Sequence, residues 1–285
     1  MRSFLFVPGD SARKFERARA VPADALILDL EDSVAAAQKD AAREITRDML
    51  GADRTEQALY VRVNALDTGR TLGDLAAMMP LSPDGIVLPK CASAADVAQL
   101  AAWLDAFEAA HGQPQGSARI IGVATETAES IFGLASYRNA SPRLWGIMWG
   151  GEDLAASLGA TTNNVDGDFT SPFVMARNLC LMGAAAAGIA AIDTVSTRIK
   201  DLDHVAAEAR AARRDGFAAK AVIHPSHVAI VNAAFTPTEA EVDWARQVID
   251  AFSKVPDAGV VTIDGKMIDK PHERTALKIL AAARP

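Results

Sequence analysis

Length, composition and charge already limit what this chain can be. It has 285 residues, of which 50% are hydrophobic and 23% charged, so it contains enough apolar material for one large core. Its formal net charge of −7 gives no electrostatic support for binding nucleic acid or an anionic membrane, and we expect no partner of either kind.

The sequence favours a soluble, cytoplasmic protein. Its two cysteines, Cys91 and Cys180, are too few for a disulfide framework and lack the spacing of a zinc cluster. The apolar run near the N-terminus ends at Pro8 and is too short for the core of a signal peptide. No stretch approaches the roughly 20 apolar residues that a membrane span requires.

Short apolar runs alternate along the chain with alanine-rich segments of helical spacing. Because parallel strands buried on both faces are apolar throughout, these runs predict a parallel sheet covered by helices. Repetition of this unit predicts a closed (β/α)8 TIM barrel, and a doubly wound open sheet is disfavoured because no Gly-x-Gly-x-x-Gly follows any strand. The eight predicted strands are Phe4–Val7, Ala25–Leu30, Leu59–Val63, Gly85–Leu88, Ile120–Ala124, Leu144–Trp149, Ile189–Val195 and Lys220–Ile223.

The alternation ends after the eighth strand. A helix at about 237–254 leads to a β-turn at Asp264-Gly265 and a last helix at about 271–283. We therefore predict a barrel domain of residues 1–230 and a C-terminal helical lid extension of residues 231–285, which packs on the barrel or on a neighbouring subunit. The helices predicted within the barrel span about 11–20, 35–50, 71–79, 93–110, 127–137, 152–158, 172–187 and 201–215.

Catalytic groups of such a barrel stand at the carboxyl ends of its strands, where the βα loops form the open face. These positions are mostly polar in this chain, although any single one could instead cap a helix or face solvent. They are Gly9, Asp29, Glu31, Asp32, Arg62, Asn64, Lys90, Glu126, Glu152, Asp153, Asp193 and His224.

Two of these residues are candidate metal ligands. Glu126 directly follows a strand, and Asp153 follows a pair of glycines that lets the backbone approach a ligand closely. Converging carboxylates repel each other unless a cation lies between them, and oxygen ligands suit Mg²⁺, or Mn²⁺, better than zinc. The backbone N–H groups from Gly151 through Glu152 to Asp153 could bind a substrate carboxylate, and Arg62 would supply further positive charge.

Short motifs spread over the whole chain carry a family resemblance. In this order they resemble the citrate lyase β-subunit-like (CitE-like) group, which belongs with the malyl-CoA and citramalyl-CoA lyases to the HpcH/HpaI aldolase family. The motifs are RSFLFVPG at 2–9, LDLEDSV at 28–34, VRVN at 61–64, LPK at 88–90, ETA at 126–128, GGEDL at 150–154 and IHP at 223–225.

The resemblance implies a Mg²⁺-dependent carbon–carbon lyase or aldolase. Such an enzyme cleaves or forms a 3-hydroxyacyl-CoA, for example malyl-CoA, citramalyl-CoA or citryl-CoA, from an acyl-CoA and a 2-keto acid. Matched to the motifs, Glu126 and Asp153 resemble the metal ligands, and Arg62 resembles the contact to the substrate and its enolate. Glu31 and Asp32 resemble the acidic groups around metal-bound water.

The C-terminal segment resembles the lid of that family. The resemblance implies that Asp269 reaches the active site of an adjacent subunit and takes part in proton transfer. It also implies a homotrimer or homohexamer. Three other functions stay open: a class II pyruvate-type aldolase without CoA, a malyl-CoA thioesterase, and a citrate lyase complex subunit that uses an acyl-carrier-protein thioester.

Overall fold

Eight parallel strands close into a barrel in the computed structural model, which describes residues 1–283. Four further short strands form two antiparallel pairs outside the barrel. In chain order the strands are β1 (Ser3–Pro8), β2 (Ala25–Asp29), β3 (Ala58–Arg62), β4 (Gly85–Leu88), β5 (Arg119–Val123), β6 (Leu144–Met148), β7 (Asn164–Val165), β8 (Asp168–Phe169), β9 (Ala190–Asp193), β10 (Ala219–Val222), β11 (Val260–Ile263) and β12 (Lys266–Asp269).

The order of the barrel strands is β1-β10-β9-β6-β5-β4-β3-β2, and all pairs are parallel. Each of the eight predicted runs contributes one barrel strand, and the predicted (β/α)8 barrel is confirmed. The strands close on themselves because β1 pairs with both β2 and β10. The pair β7 and β8 was not predicted, although its Asp166-Gly167 turn is a recognised hairpin signal.

Apolar side chains fill the inside of the barrel. Alternate residues of each strand point inward, so every strand supplies one or two members of this core. Aromatic contacts add to it, since the ring of Phe4 lies 5.8 Å from Tyr60 and 5.4 Å from Trp145. The buried members are Phe4, Ala25, Ile27, Tyr60, Val87, Ile121, Val123, Met148, Ile192, Ala219 and Ala221.

Helices follow the barrel strands as predicted, with two differences in detail. The segment predicted as one helix at 127–137 ends as a 3-10 turn from Leu134, and a helix at Pro225–Phe235 was not predicted. The α-helices of the described chain are α1 (Ala12–Arg19), α2 (Lys39–Leu50), α3 (Thr71–Met78), α4 (Ala94–Ala110), α5 (Ala128–Gly133), α6 (Glu152–Leu158), α7 (Ser171–Ala187), α8 (Leu202–Asp215), α9 (Pro225–Phe235), α10 (Glu239–Ser253) and α11 (Lys270–Ala282).

The chain divides into a unit of Met1–Asn232, which contains the barrel, and a second compact unit that begins at Ala233. The second unit consists of α10, the β11–β12 hairpin and α11. Asp264 and Gly265 form the hairpin turn with φ of 50° and 74°, as a two-residue turn between twisted strands requires. Its small core includes Phe252 and Ile268. The role of this unit as a lid stays a prediction.

Among residues 1–283, no helix combines the length and the apolar character that crossing a membrane would require.

Candidate active site

A cavity of about 430 Å³ opens at the carboxyl ends of the barrel strands. Its walls come from the last residues of the strands and the first residues of the loops that follow them. The lining residues are Phe6, Pro8, Asp29, Asp32, Ser33, Arg62, Val123, Glu126, Met148, Trp149, Gly150, Gly151, Glu152, Asp153, Thr194, Val195 and Ile223. Seven of the residues predicted for the site therefore share one cavity, namely Asp29, Asp32, Arg62, Glu126, Gly151, Glu152 and Asp153.

Arg62 is held by neighbours on β2, on the loop that follows β2, and on β1. Asp29 and Arg62 lie opposite each other in the β2–β3 register, and the guanidinium forms two hydrogen bonds with that carboxylate, at 2.7 and 2.8 Å. Nη1 also lies 2.9 Å from Glu31 Oε2, and the ring of Phe6 packs under the guanidinium at 4.9 Å. Burial alone would lower the pKa of Arg62, but the charge and hydrogen bonds of Asp29 together with the charges of Glu31 and Glu126 outweigh it and raise this pKa.

This arrangement leaves part of the Arg62 guanidinium for a ligand. Arginine has five N–H donors, of which two are hydrogen-bonded to Asp29, while Nη1 forms the ion pair with Glu31. At least two donors therefore remain on a planar group that lines the cavity. Such a group suits a carboxylate or an enolate oxygen better than the mobile ammonium of a lysine does.

Lys90 connects the acidic groups of the site. Its ammonium lies 2.5 Å from Glu31 Oε1 and 3.4 Å from Asp153 Oδ1, and its backbone N–H donates to Glu126 Oε2 at 2.6 Å. To make these contacts it has a φ of 50°, in the left-handed region that non-glycine residues rarely adopt. The position of Lys90 at a strand end predicts that it lies at the site but predicts no role for it. The Leu-Pro-Lys motif at the end of β4 indicates where Lys90 lies. The contacts of Lys90 involve a left-handed backbone conformation that the motif does not reveal.

Glu126 is buried at the floor of the site, with 4% of its surface exposed. Burial raises the pKa of its carboxyl to about 8, and the charges of Glu31 and Asp153 act in the same direction. Gly150 allows the close approach, since a Cβ on that residue would lie only 2.9 Å from Glu126 Cγ. A carboxylate in this position is best stabilised by a cation.

The loop after β6 brings the other predicted ligand to the cavity. Gly151 precedes α6, and Asp153 is half-buried in its first turn. The side chain of Glu152 accepts a hydrogen bond from Asn163 at 2.7 Å, so its carboxylate is engaged away from Glu126. Asp153 is therefore the carboxylate of this loop that interacts with Glu126 and Lys90.

The donor set of the site fits a hard divalent cation that retains open positions. No group of three or more His, Cys, Asp or Glu side chains within residues 1–283 is arranged as a complete metal cage. Mg²⁺ is commonly bound by only one or two carboxylates, with water and substrate as its other ligands. The buried carboxylate of Glu126, with its raised pKa and the adjacent Asp153, is consistent with such a site.

Metal affinity should depend on pH because of Glu126. Below about pH 8 its carboxyl is protonated in the metal-free protein, and a cation must displace that proton. We therefore expect the affinity for Mn²⁺ to rise by roughly tenfold per pH unit up to about pH 8 and then to level off. Calorimetric titration at about pH 6.5, 7.5 and 8.5, in two buffers of different ionisation enthalpy, measures both the affinity and the protons released.

Glu152→Gln is the matched control for this titration. It removes a carboxylate of the same cavity that contacts Asn163, so the pH dependence should persist. An affinity of the wild-type protein that stays constant across this pH range would contradict the prediction.

The other predicted strand-end residues differ in their surroundings. Asp32 is exposed and lines the cavity. Asp193 is buried and contacts Lys220 at 3.0 Å, Arg177 at 3.1 Å and the indole N–H of Trp149 at 2.7 Å. Lys220 and Arg177 compensate the charge of Asp193, and of these four residues Trp149 is the one that lines the cavity in the described chain. Three further residues have local roles: Asn64 bonds to Asp74, His224 is exposed and bonds to Ser226, and Gly9 donates to the carbonyl of Asp29.

Asp269 belongs to the second unit, where it ends β12 and caps α11. Its carboxylate lies 2.5 Å from His272 Nδ1, and this hydrogen bond lowers the pKa of Asp269. An ionised, partly exposed carboxylate is able to accept a proton. Its action in a neighbouring active site stays a prediction.

Comparisons with known proteins agree over the whole chain. The family model described as HpcH/HpaI aldolase/citrate lyase matches residues 2–225, and one described as a C–C bond lyase of the TIM-barrel fold matches residues 173–285. The citrate lyase subunit beta of Leuconostoc mesenteroides subsp. cremoris is 34% identical, with 99% of this chain and 93% of that protein covered.

Two further relatives are similar over nearly their full length. The (3S)-malyl-CoA thioesterase of Cereibacter sphaeroides is 35% identical, with 99% of this chain and 94% of that protein covered. The structure of CitE from Mycobacterium tuberculosis in complex with magnesium, acetoacetate and coenzyme A is 34% identical, with a TM-score of 0.78 and coverage of 99% of this chain and 97% of that one.

Proposed function

Because the chain belongs to the HpcH/HpaI aldolase/citrate lyase family and is a carbon–carbon lyase acting on CoA esters, we propose that it is a Mg²⁺-dependent enzyme for a 3-hydroxyacyl-CoA. The family resemblance read from the motifs is confirmed. The proposed substrate is a thioester such as malyl-CoA, citramalyl-CoA or citryl-CoA, which yields an acyl-CoA and a 2-keto acid. The observation that carries this proposal is that the Arg62 guanidinium lines the same cavity as the Glu126 and Asp153 carboxylates.

Glu126 and Asp153 would hold the metal, as magnesium is present in the related CitE structure. A bound Mg²⁺ supplies Lewis acidity at the keto and carboxylate oxygens. Gly151, Glu152 and Asp153 would bind the substrate carboxylate through their backbone, and Glu31 and Asp32 would orient metal-bound water. These roles are part of the proposal.

The chain's own groups can balance the charges and protons of the cleavage. A carboxylate base takes the hydroxyl proton, the bond between the carbinol carbon and the thioester α-carbon breaks, and the electron pair passes to the thioester enolate, which takes up the same proton at its α-carbon. Arg62 would stabilise the negative charge on that enolate oxygen with its remaining donors. Protonation of the α-carbon gives the acyl-CoA.

We assign this proton movement to Asp269 of a neighbouring subunit, in a homotrimer or homohexamer. An ionised aspartate can accept a proton in the condensation direction and return it in the cleavage direction. A cytoplasmic location completes the proposal.

Thioester hydrolysis is the second candidate, because a relative of 35% identity is a (3S)-malyl-CoA thioesterase. One assay separates the two reactions. The purified protein is incubated with malyl-CoA and Mg²⁺, and both free thiol and 2-keto acid are measured over time. A lyase releases keto acid and acetyl-CoA without free thiol, whereas a thioesterase releases free CoA and malate.

We expect 2-keto acid to form at least tenfold faster than free thiol, and chelation by EDTA to stop its formation. Thiol release without keto acid would replace the lyase proposal by the thioesterase. No reaction with any soluble acyl-CoA would reject both for the chain alone.

A further inference from the structure

The mouth of the barrel is divided into a charged and an apolar half. The strands β2 to β6 are contiguous in the barrel, and their ends carry the acidic groups, Arg62 and Lys90. The remaining strands β9, β10 and β1 are also contiguous, and apart from Thr194 their described residues line the cavity with apolar side chains and with no charged one. These are Val195 after β9, Ile223 after β10, and Phe6 and Pro8 of β1. The charged half contributes apolar lining residues as well, namely Val123, Met148 and Trp149.

The charges carried by the apolar half do not reach the cavity. Lys220 of β10 is 1% exposed, and its ammonium bonds to Asp193 of β9 and to the carbonyl of Thr194. Within the described chain, Arg62 is the one cationic side chain among the residues that line the cavity. Its guanidinium, like the Lys90 ammonium beside it, already faces carboxylates of the charged half.

This division constrains the substrate, given the proposed function. The keto carbon of the released 2-keto acid carries a carboxylate, the keto oxygen and one further substituent. The first two belong on the charged half, with Glu126, Asp153 and Arg62. The third substituent therefore points toward the apolar half, where it meets Ile223, Val195 and Phe6.

A second carboxylate in that position would be poorly stabilised. It would lose water against apolar side chains, and the remaining donors of Arg62, the one cation that lines the cavity in the described chain, are assigned to the enolate oxygen. The acidic groups of the charged half would repel it as well. A methyl group there would instead gain from burial, by about fourfold in kcat/KM relative to hydrogen.

We propose that this chain acts on 3-hydroxyacyl-CoA thioesters that release a monocarboxylic 2-keto acid with a hydrogen or a short alkyl group on its keto carbon. It discriminates against thioesters that release a dicarboxylic 2-keto acid. The inference rests on the lyase function proposed above, and it names the substrate class of the same site.

The test compares three thioesters that all release acetyl-CoA. Malyl-CoA, citramalyl-CoA and citryl-CoA differ only in the third substituent, which is hydrogen, methyl or carboxymethyl. With the full-length protein and Mg²⁺, we expect kcat/KM for citramalyl-CoA to exceed that for malyl-CoA by about fourfold. We expect both to exceed that for citryl-CoA by at least about tenfold.

If kcat/KM for malyl-CoA and citramalyl-CoA exceeds that for citryl-CoA by less than about tenfold, the inference is overturned but the lyase function still stands. Failure to cleave any of the three rejects the lyase function, and the inference with it. The two failures are therefore distinguishable in the same experiment.

A pair of variants tests whether the third substituent of the substrate lies at the apolar half. Ile223 is 39% exposed, so it can accept a longer side chain without repacking the core. Ile223→Lys adds a cation, and Ile223→Met is a control of similar length without charge. We expect the ratio of kcat/KM for citryl-CoA to that for citramalyl-CoA to be at least about tenfold higher in Ile223→Lys than in Ile223→Met. Equal ratios in the two variants would show that the third substituent does not lie beside Ile223.

Discussion

Replacing Glu126 by glutamine is expected to abolish divalent-metal binding at the barrel mouth and to lower kcat/KM for carbon–carbon cleavage by at least about 10³-fold. The amide keeps the shape of the side chain and an oxygen that can accept the hydrogen bond from the Lys90 backbone N–H. It removes the negative charge that a cation needs. The variant should therefore lose activity while it keeps its folded structure.

Thermal unfolding distinguishes a loss of metal binding from a loss of the folded structure. A buried carboxylate with a raised pKa gains protons on folding between about pH 4.5 and 8, so its ionisation costs stability as the pH rises through that range. At about pH 8, metal-free Glu126→Gln should therefore unfold at a Tm equal to or above that of the wild type. The rise in Tm on adding Mg²⁺ should disappear, since a ligand stabilises only a fold that binds it.

Glu152→Gln again provides the matched control, because its carboxylate is engaged with Asn163. It should retain both the Mg²⁺-dependent rise in Tm and metal-dependent turnover. Turnover by Glu126→Gln that responds to Mg²⁺ as the wild type does would remove Glu126 from the metal site.

The second large effect is expected for Arg62→Lys, which should lower kcat/KM by about 10²- to 10³-fold. Lysine keeps the positive charge but cannot form two parallel hydrogen bonds to Asp29, reach Glu31 and still present donors to the substrate. Most of the loss should appear in kcat, because the enolate charge develops only in the transition state.

Arg177→Lys separates this effect from a general loss of stability. Arg177 also forms an ion pair with a buried aspartate, Asp193, and its side chain is 15% exposed against 12% for Arg62. Both variants should lower Tm, but the activity of Arg177→Lys should fall by less than about tenfold, because this residue does not line the cavity. Equal losses of activity in the two variants would show that Arg62 acts only through stability.

The pattern of apolar runs in the sequence was sufficient to predict the barrel. Strands buried on both faces must be apolar along their length, so eight such runs were visible without knowledge of their partners. Helix α9 was missed because apolar residues occupy it nearly all round, which removes the amphipathic pattern. The β7–β8 pair was missed because two-residue strands are too short to show an alternation.

The sequence by itself determined which residues stand at the mouth, because in a parallel barrel the carboxyl ends of all strands meet on one face. Glu126, Asp153 and Arg62 were among the twelve residues that this rule selected, and they line the cavity, whereas Asn64 and Asp193 do not. Only the tertiary structure decided how these groups act on each other. The β2–β3 register pairs Asp29 with Arg62, and Lys90 joins Glu31 to Asp153 across 59 and 63 positions of the chain. Protonation and charge balance depend on burial and distance, which one-dimensional spacing does not contain.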